Sequence, residues 1–157
     1  MYYGTPPIVT NGLVLNLDAA NTKSYVSGST TWTDLSGNNN SGSLIGGPAF
    51  NSGNGGYIRC DGYCTLGTKN LIQNDFTISI WFKLNSSGDK EHFIFSNNYQ
   101  TSPALLITAD IAGSSRVLTA YYASSSITSH ILSTANIPIA INNITLIRNG
   151  ATNTPYL

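Results

Sequence analysis

The sequence predicts an all-β protein, an antiparallel β-sandwich. Three observations lead there. Phe76, Ile78, Ile80 and Phe82 alternate with Thr77, Ser79, Trp81 and Lys83, the period-2 pattern of a strand with one buried face. From His92 onward, short apolar segments recur at regular intervals between Gly- and Ser-rich breaks. No stretch is both long enough and periodic enough for a confident helix, and there is no internal repeat.

Residues 1–11 read as an arm or linker, with Tyr2, Tyr3, Pro6 and Pro7 giving an aromatic, uncharged lead-in held extended by its prolines. The sandwich is expected over 12–157. Leu13, Leu15 and Leu17 alternate with Val14, Asn16 and Asp18, which predicts a first strand over 12–19. From Ala19 to about Gly55 apolar residues are sparse, and a long loop region with short strand pieces is expected. Within it, Asn38-Asn39-Asn40 between Gly37 and Gly42 can supply positive φ for consecutive turns. Residues 76–83 form the clearest strand. His92–Ser96, Leu105–Ala109, Val117–Tyr122, Ile127–Leu132 and Ile144–Arg148 follow as strands. Gly113-Ser114-Ser115 and Ser124-Ser125-Ser126 read as hairpin connections. The predicted core contains Leu13, Leu15, Leu17, Phe76, Ile78, Ile80 and Phe82.

At 157 residues the chain is long enough to bury a real core. Charged residues make up 9%, against about 25% in a typical domain, so neutral hydroxyls and amides supply most of the polar surface. Seven Lys+Arg balance seven Asp+Glu, leaving no basic stripe for nucleic acid. No apolar run approaches a membrane span, and the N-terminus lacks the pattern of a secretory signal. Cys60 and Cys64 are the only thiols. Their spacing makes no zinc site, and either a disulfide or two inert thiols is compatible with it.

Four blocks carry a family likeness by order and spacing. They are Gly12-Leu13-Val14-Leu15-Asn16-Leu17-Asp18-Ala19, the Trp32-to-Gly42 segment, Gly55-Gly56-Tyr57-Ile58-Arg59-Cys60-Asp61-Gly62, and Phe76 to Lys83. Over residues 8–150 the chain resembles the laminin-G-like, concanavalin A-like lectin/glucanase jelly roll. The likeness is to the variety found in structural proteins of tailed bacteriophages, especially marine and cyanobacterial ones. Cys60 stands where the family carries an aromatic residue before its Asp-Gly corner. The resemblance further implies that the turn after residue 149 leads into more strands, and Pro155-Tyr156-Leu157 falls where the next would begin. It therefore implies either a compact variant of the jelly roll or one lacking its last strands, whose open edge a neighbouring chain would cover.

No enzymatic activity is expected. Glucanases of this fold use a Glu-x-Asp-x-x-Glu strand, and hydrolysis needs two carboxylates about 5–10 Å apart. The chain has one Glu, Glu91, in a charged turn with Asp89, and no signature joins His92 or His130 into a triad. The resemblance brings calcium into consideration, with Asp18, Asp34 and Asp61 as the carboxylates and Asn38 and Asn40 beside them. The alternative is that these side chains cap turns. Sugar binding needs aromatic faces backed by planar polar side chains, and the candidates are Trp81, Tyr99, Tyr121 and Tyr122. Trp81 lies on the opposite parity from the predicted core, so it belongs either to a sugar-binding face or beneath a loop. Trp32 is expected to anchor the long loop. The resemblance implies a virion component, namely a capsid decoration, neck or fibre protein. Its partners would be other virion proteins and copies of itself, with a lectin-like contact to host-surface glycan as the alternative.

Overall fold

The computed structural model describes residues 8–59, 62–67, 71–72, 75–83, 92–97, 104–112, 115–123, 128–135, 137, 141–149 and 152–156. The chain divides into two compact units, Met1–Lys69 and Asn70–Leu157. Twelve strands, all paired antiparallel, and one short 3-10 turn make up the regular structure among the described residues. The all-β expectation therefore holds.

The first unit contains β1 (Thr31–Trp32), β2 (Gly42–Ile45), β3 (Ala49–Asn51), β4 (Tyr57–Arg59) and β5 (Tyr63–Thr65). Strands β1, β2 and β5 form one sheet in that order, and β3 pairs with β4. Its buried apolar residues are Tyr25 and Leu44, and the Tyr25 ring packs tilted against Phe50 at 5.7 Å. Short strands separated by polar turns match the loop region expected there. Gly37 and Asn39 both adopt positive φ, at 88° and 57°, as the Asn-rich segment predicts.

The first predicted strand is a correction. Residues 13–18 join no ladder, and Leu13, Leu15 and Leu17 are half-buried rather than core. Alternation reports an extended chain with two faces. It does not report what satisfies the backbone, and here side chains do so in place of a neighbouring strand. Asn38 Nδ2 donates to the Leu13 carbonyl at 2.8 Å, and Asn40 Nδ2 donates to the Val14 carbonyl at 2.8 Å. The Asn16 N–H donates to Asp34 Oδ1 at 2.9 Å, and the Asp18 N–H donates to Ser24 Oγ at 3.1 Å.

One close approach fixes the β2–β5 corner. A Cβ on Gly62 would strike the Ile45 carbonyl oxygen and lie 2.8 Å from the Gly46 Cα. These are backbone atoms that cannot swing aside. Gly62→Ala should therefore destabilise by about 1–3 kcal/mol. Urea denaturation checks this, and an unchanged midpoint would mean that the corner opens freely.

The second unit holds β6 (Phe76–Lys83), β7 (His92–Asn97), β8 (Ala104–Ala112), β9 (Ser115–Ala123), β10 (Thr128–Ala135), β11 (Ile141–Asn149) and β12 (Thr152–Tyr156). One sheet runs β10-β9-β8-β7 and the other β12-β11-β6. All six strands predicted from residue 76 to 148 are present. The register pairs β8 with β9 and β9 with β10 across the two expected connections, with Ala112 opposite Ser115 and Ala123 opposite Thr128, and Ser115, expected in the first connection, opens β9 instead. Strand β6 is half-buried and exposed in strict alternation, as its sequence predicts.

Leu105 of β8, Leu146 of β11 and Ile72 form a buried cluster, with Phe76 and Ile78 packed against it. Residues from both sheets thus share one core. The deepest side chains of this unit are Leu105, Ile107, Ile144 and Leu146. The β6 residues Phe76, Ile78, Ile80 and Phe82 point the same way but stay half-buried, because β6 ends its sheet among the described residues.

The C-terminal segment is the second correction. Thr152–Tyr156 is already a strand, paired with β11 from Asn149↔Thr152 to Thr145↔Tyr156. Its Pro155 lies on an edge strand, where a missing N–H is tolerated. Polar composition and the proline hide this strand from a periodicity search.

Candidate functional site

Strands β6 and β11 place Trp81 directly opposite Asn143, and Ser79 directly opposite Thr145. Directly opposed residues of an antiparallel pair share a face, so these four side chains line one surface. That surface lies opposite Ile144 and Leu146, which are fully buried on the other side of β11. Trp81 is 73% exposed, so no loop among the described residues packs over it.

The polar side chains beside it are held in place. Asn143 Nδ2 donates to Ser79 Oγ at 3.0 Å and to the Ile80 carbonyl at 3.2 Å. The Thr145 hydroxyl donates to Asn143 Oδ1 at 3.1 Å and lies 3.2 Å from Ser79 Oγ. The amide is therefore locked, with its plane set by three partners. Ser79 Oγ accepts from it. The face presents an apolar ring beside a rigid amide and two hydroxyls, with Lys83 as the charged residue of β6 at its end.

Asp34 is the other convergence of polar groups, in the first unit. It is buried, and both its oxygens are engaged. Oδ1 accepts the N–H groups of Asn16 and Ser36, each at 2.9 Å. Oδ2 accepts the Ser36 hydroxyl at 2.7 Å and the Asn40 N–H at 2.9 Å. A carboxylate has about four lone-pair sites, and four donors fill them. Burial alone would raise this carboxyl. The Ser36 hydroxyl and the N–H groups of Asn16, Ser36 and Asn40 outweigh that and hold it below the usual Asp range. Around it, the Asp34 N–H donates to Ser41 Oγ at 3.1 Å, and the Leu35 N–H donates to the Asn16 carbonyl at 2.9 Å.

Asp34 and Asp18 were candidate calcium ligands. N–H and O–H dipoles converging on Asp34 are the reverse of what a cation requires. Asp18 Oδ1 accepts the Ala20 N–H at 2.9 Å, an Asx turn. Asp61 lies outside the described residues. Among the described residues no group of three His, Cys, Asp or Glu side chains comes together. The donor set around Asp34 does not fit calcium, and Asp18 and Asp34 are turn-formers in this structure.

Of the other predicted residues, Tyr121 and Tyr122 lie on β9, opposite Leu106 and Leu105 of β8. Tyr99 and the arm residues Tyr2, Tyr3, Pro6 and Pro7 lie outside the described residues, as do Cys60, Asp89 and Glu91. Trp32, on β1, is half-buried, and its Nε1 is a buried donor without a partner. Sequence reasoning missed Ser79, Asn143 and Thr145. Their signal was the parity of Ser79 with Trp81, together with the polar Asn143 and Thr145 at alternate positions of the next long strand. Comparison with protein-family models, curated proteins and solved structures finds no match to this chain.

Proposed function

We propose that this chain is a non-catalytic virion surface component of a tailed bacteriophage, with a concanavalin A-like jelly-roll fold, that adheres to host-surface glycan through the Trp81 face. The fold family and the virion setting rest on the sequence resemblance. The adhesive role rests on one observation, the 73% exposure of Trp81 on a sheet face carrying a locked amide and two hydroxyls. A pyranose has an apolar C–H face and a hydroxyl rim. The indole suits the first, while Asn143, Ser79 and Thr145 suit the second. A face with so little charge favours a neutral polysaccharide over nucleic acid.

Affinity electrophoresis through gels containing host-surface polysaccharides tests this. Retardation by at least one neutral polysaccharide is expected, and Trp81→Ala should abolish it while leaving the circular dichroism spectrum unchanged. The same incubations should release no reducing sugar. Equal retardation of Trp81→Ala and the parent chain would remove the face from the mechanism. Imaging of intact particles tests the virion setting separately.

A further inference from the structure

The edge of the three-stranded sheet has a second use. Among the described residues β6 pairs with β11 alone, so the other side of an eight-residue strand offers its N–H and C=O groups to a further strand. The apolar face is also unfinished there. Ile144 and Leu146 of β11 are fully buried, yet Ile80 and Ile78, directly opposite them on the same face, are only half-buried. A strand added beyond β6 would cover that flank, provided that its own apolar residues fall on the same parity.

We propose that the occupant is β6 of a second copy, paired antiparallel about a two-fold axis through Ser79. In this register Ser79 meets Ser79 of the partner subunit, Ile80 meets Ile78, and Phe82 meets Phe76. Every apolar side chain stays on the core side, and every polar one stays on the Trp81 side. Charge selects this register from its neighbours of the same parity. It sets Lys83, exposed at one end of β6, opposite Asp75, whose side chain is 60% exposed just before the other end. The two-fold axis makes that pair twice. Asp75 Oδ1 also lies 3.7 Å from Arg148 Nη1 of its own chain, and a carboxylate has room for both cations.

The product is a six-stranded sheet, β12-β11-β6 followed by the same three strands of the partner in reverse order. Its outer face carries two Trp81 rings. Each lies opposite Thr77 of the other copy, so the rings are displaced by four residues, about 14 Å along the strands. Two rings on one face would grip one extended glycan chain at two points and raise avidity without any new contact. The pairing itself stands on the edge, the parity and the charges, and does not depend on the glycan reading.

Three variants of the full chain test the interface, read by analytical ultracentrifugation and non-reducing electrophoresis. The parent chain should sediment as a dimer that dissociates on dilution. Lys83→Glu should weaken the dimer by about tenfold by placing like charges opposite each other. The double variant Lys83→Glu/Asp75→Lys should restore it. Ser79→Cys should cross-link to a covalent dimer under mild oxidation, because opposed Cα atoms lie within disulfide reach. Thr77→Cys, whose counterpart is four residues away, should not cross-link beyond the parent chain's own background. A monomer at every concentration overturns the proposal. So does Ser79→Cys cross-linking no faster than Thr77→Cys, and so does a folded double variant that fails to recover.

Discussion

Truncating Leu146 to alanine should cost about 2–5 kcal/mol of folding stability, the range for a fully enclosed Leu. Leu146 is 0% exposed and packs with Leu105 and Ile72, so its δ-methyls lie in the core shared by the two sheets of the second unit. Two strands and a connecting segment meet at that side chain, and little of the hole can be filled by relaxation. Ile80→Ala is the internal control. Ile80 faces the same way one strand over, but in the monomer its outer flank is open, and about 1–2 kcal/mol is expected at its half-burial when unfolding is followed at dilutions that keep the chain monomeric. Thermal and urea unfolding followed by far-ultraviolet circular dichroism would rank the two. If Ile80→Ala cost as much as Leu146→Ala, β6 would not be the edge of its sheet.

That contrast marks what the sequence can convey. Parity along β6 was legible because alternate residues of a strand must point to opposite faces, and the observed pattern follows it residue by residue. Depth was not legible, since it depends on whether a strand is central or terminal. Ile144 and Ile80 read alike in sequence and differ in burial only through sheet order. The register shifts between Phe93 and Phe95 and between His130 and Leu132 were also invisible, because a bulge is a property of a pair of strands. For the candidate site, parity placed Trp81 on the outer face. Its partners required the register with β11, which a single sequence does not state.

The misread segment over 12–19 has a plainer cause. Asp34, Ser36, Asn38 and Asn40 recur at every second position, and the sequence offers Asp34, Asn38 and Asn40 as calcium donors or turn caps. In the structure, Asn38, Asn40 and Asp34 act as side-chain partners for the backbone of Leu13, Val14 and Asn16 in turn. The hydrogen-bonding capacity of short amide and carboxylate side chains can replace that of a neighbouring strand. A period-2 polar run some twenty residues after a period-2 apolar run was the available signal.

The largest effect in the first unit should follow from replacing Asp34. Asp34→Ala removes the acceptor for the N–H groups of Asn16, Ser36 and Asn40 at a buried site, and about 3–5 kcal/mol of destabilisation is expected from bonds to a charged group. Asp34→Asn is the sharper test. It can keep Oδ1 facing Asn16 and Ser36, but it turns an NH2 group toward the Asn40 N–H, so two donors then oppose each other. It should recover only part of the loss. The charge also sets a pH dependence. The folded carboxyl titrates below its unfolded value of about 3.9, so its contribution is complete above that value. It is lost as the pH falls through the lower, folded value. Trp32, two residues from Asp34, is the natural reporter once Trp81 is changed to Phe. In that background the unfolding midpoint should be flat near neutrality and drop on acidification below about pH 4. With Asp34→Asn it should start lower and lose this acid step. Identical acid profiles with and without the carboxylate would show that the four bonds to Asp34 do not hold the first unit together.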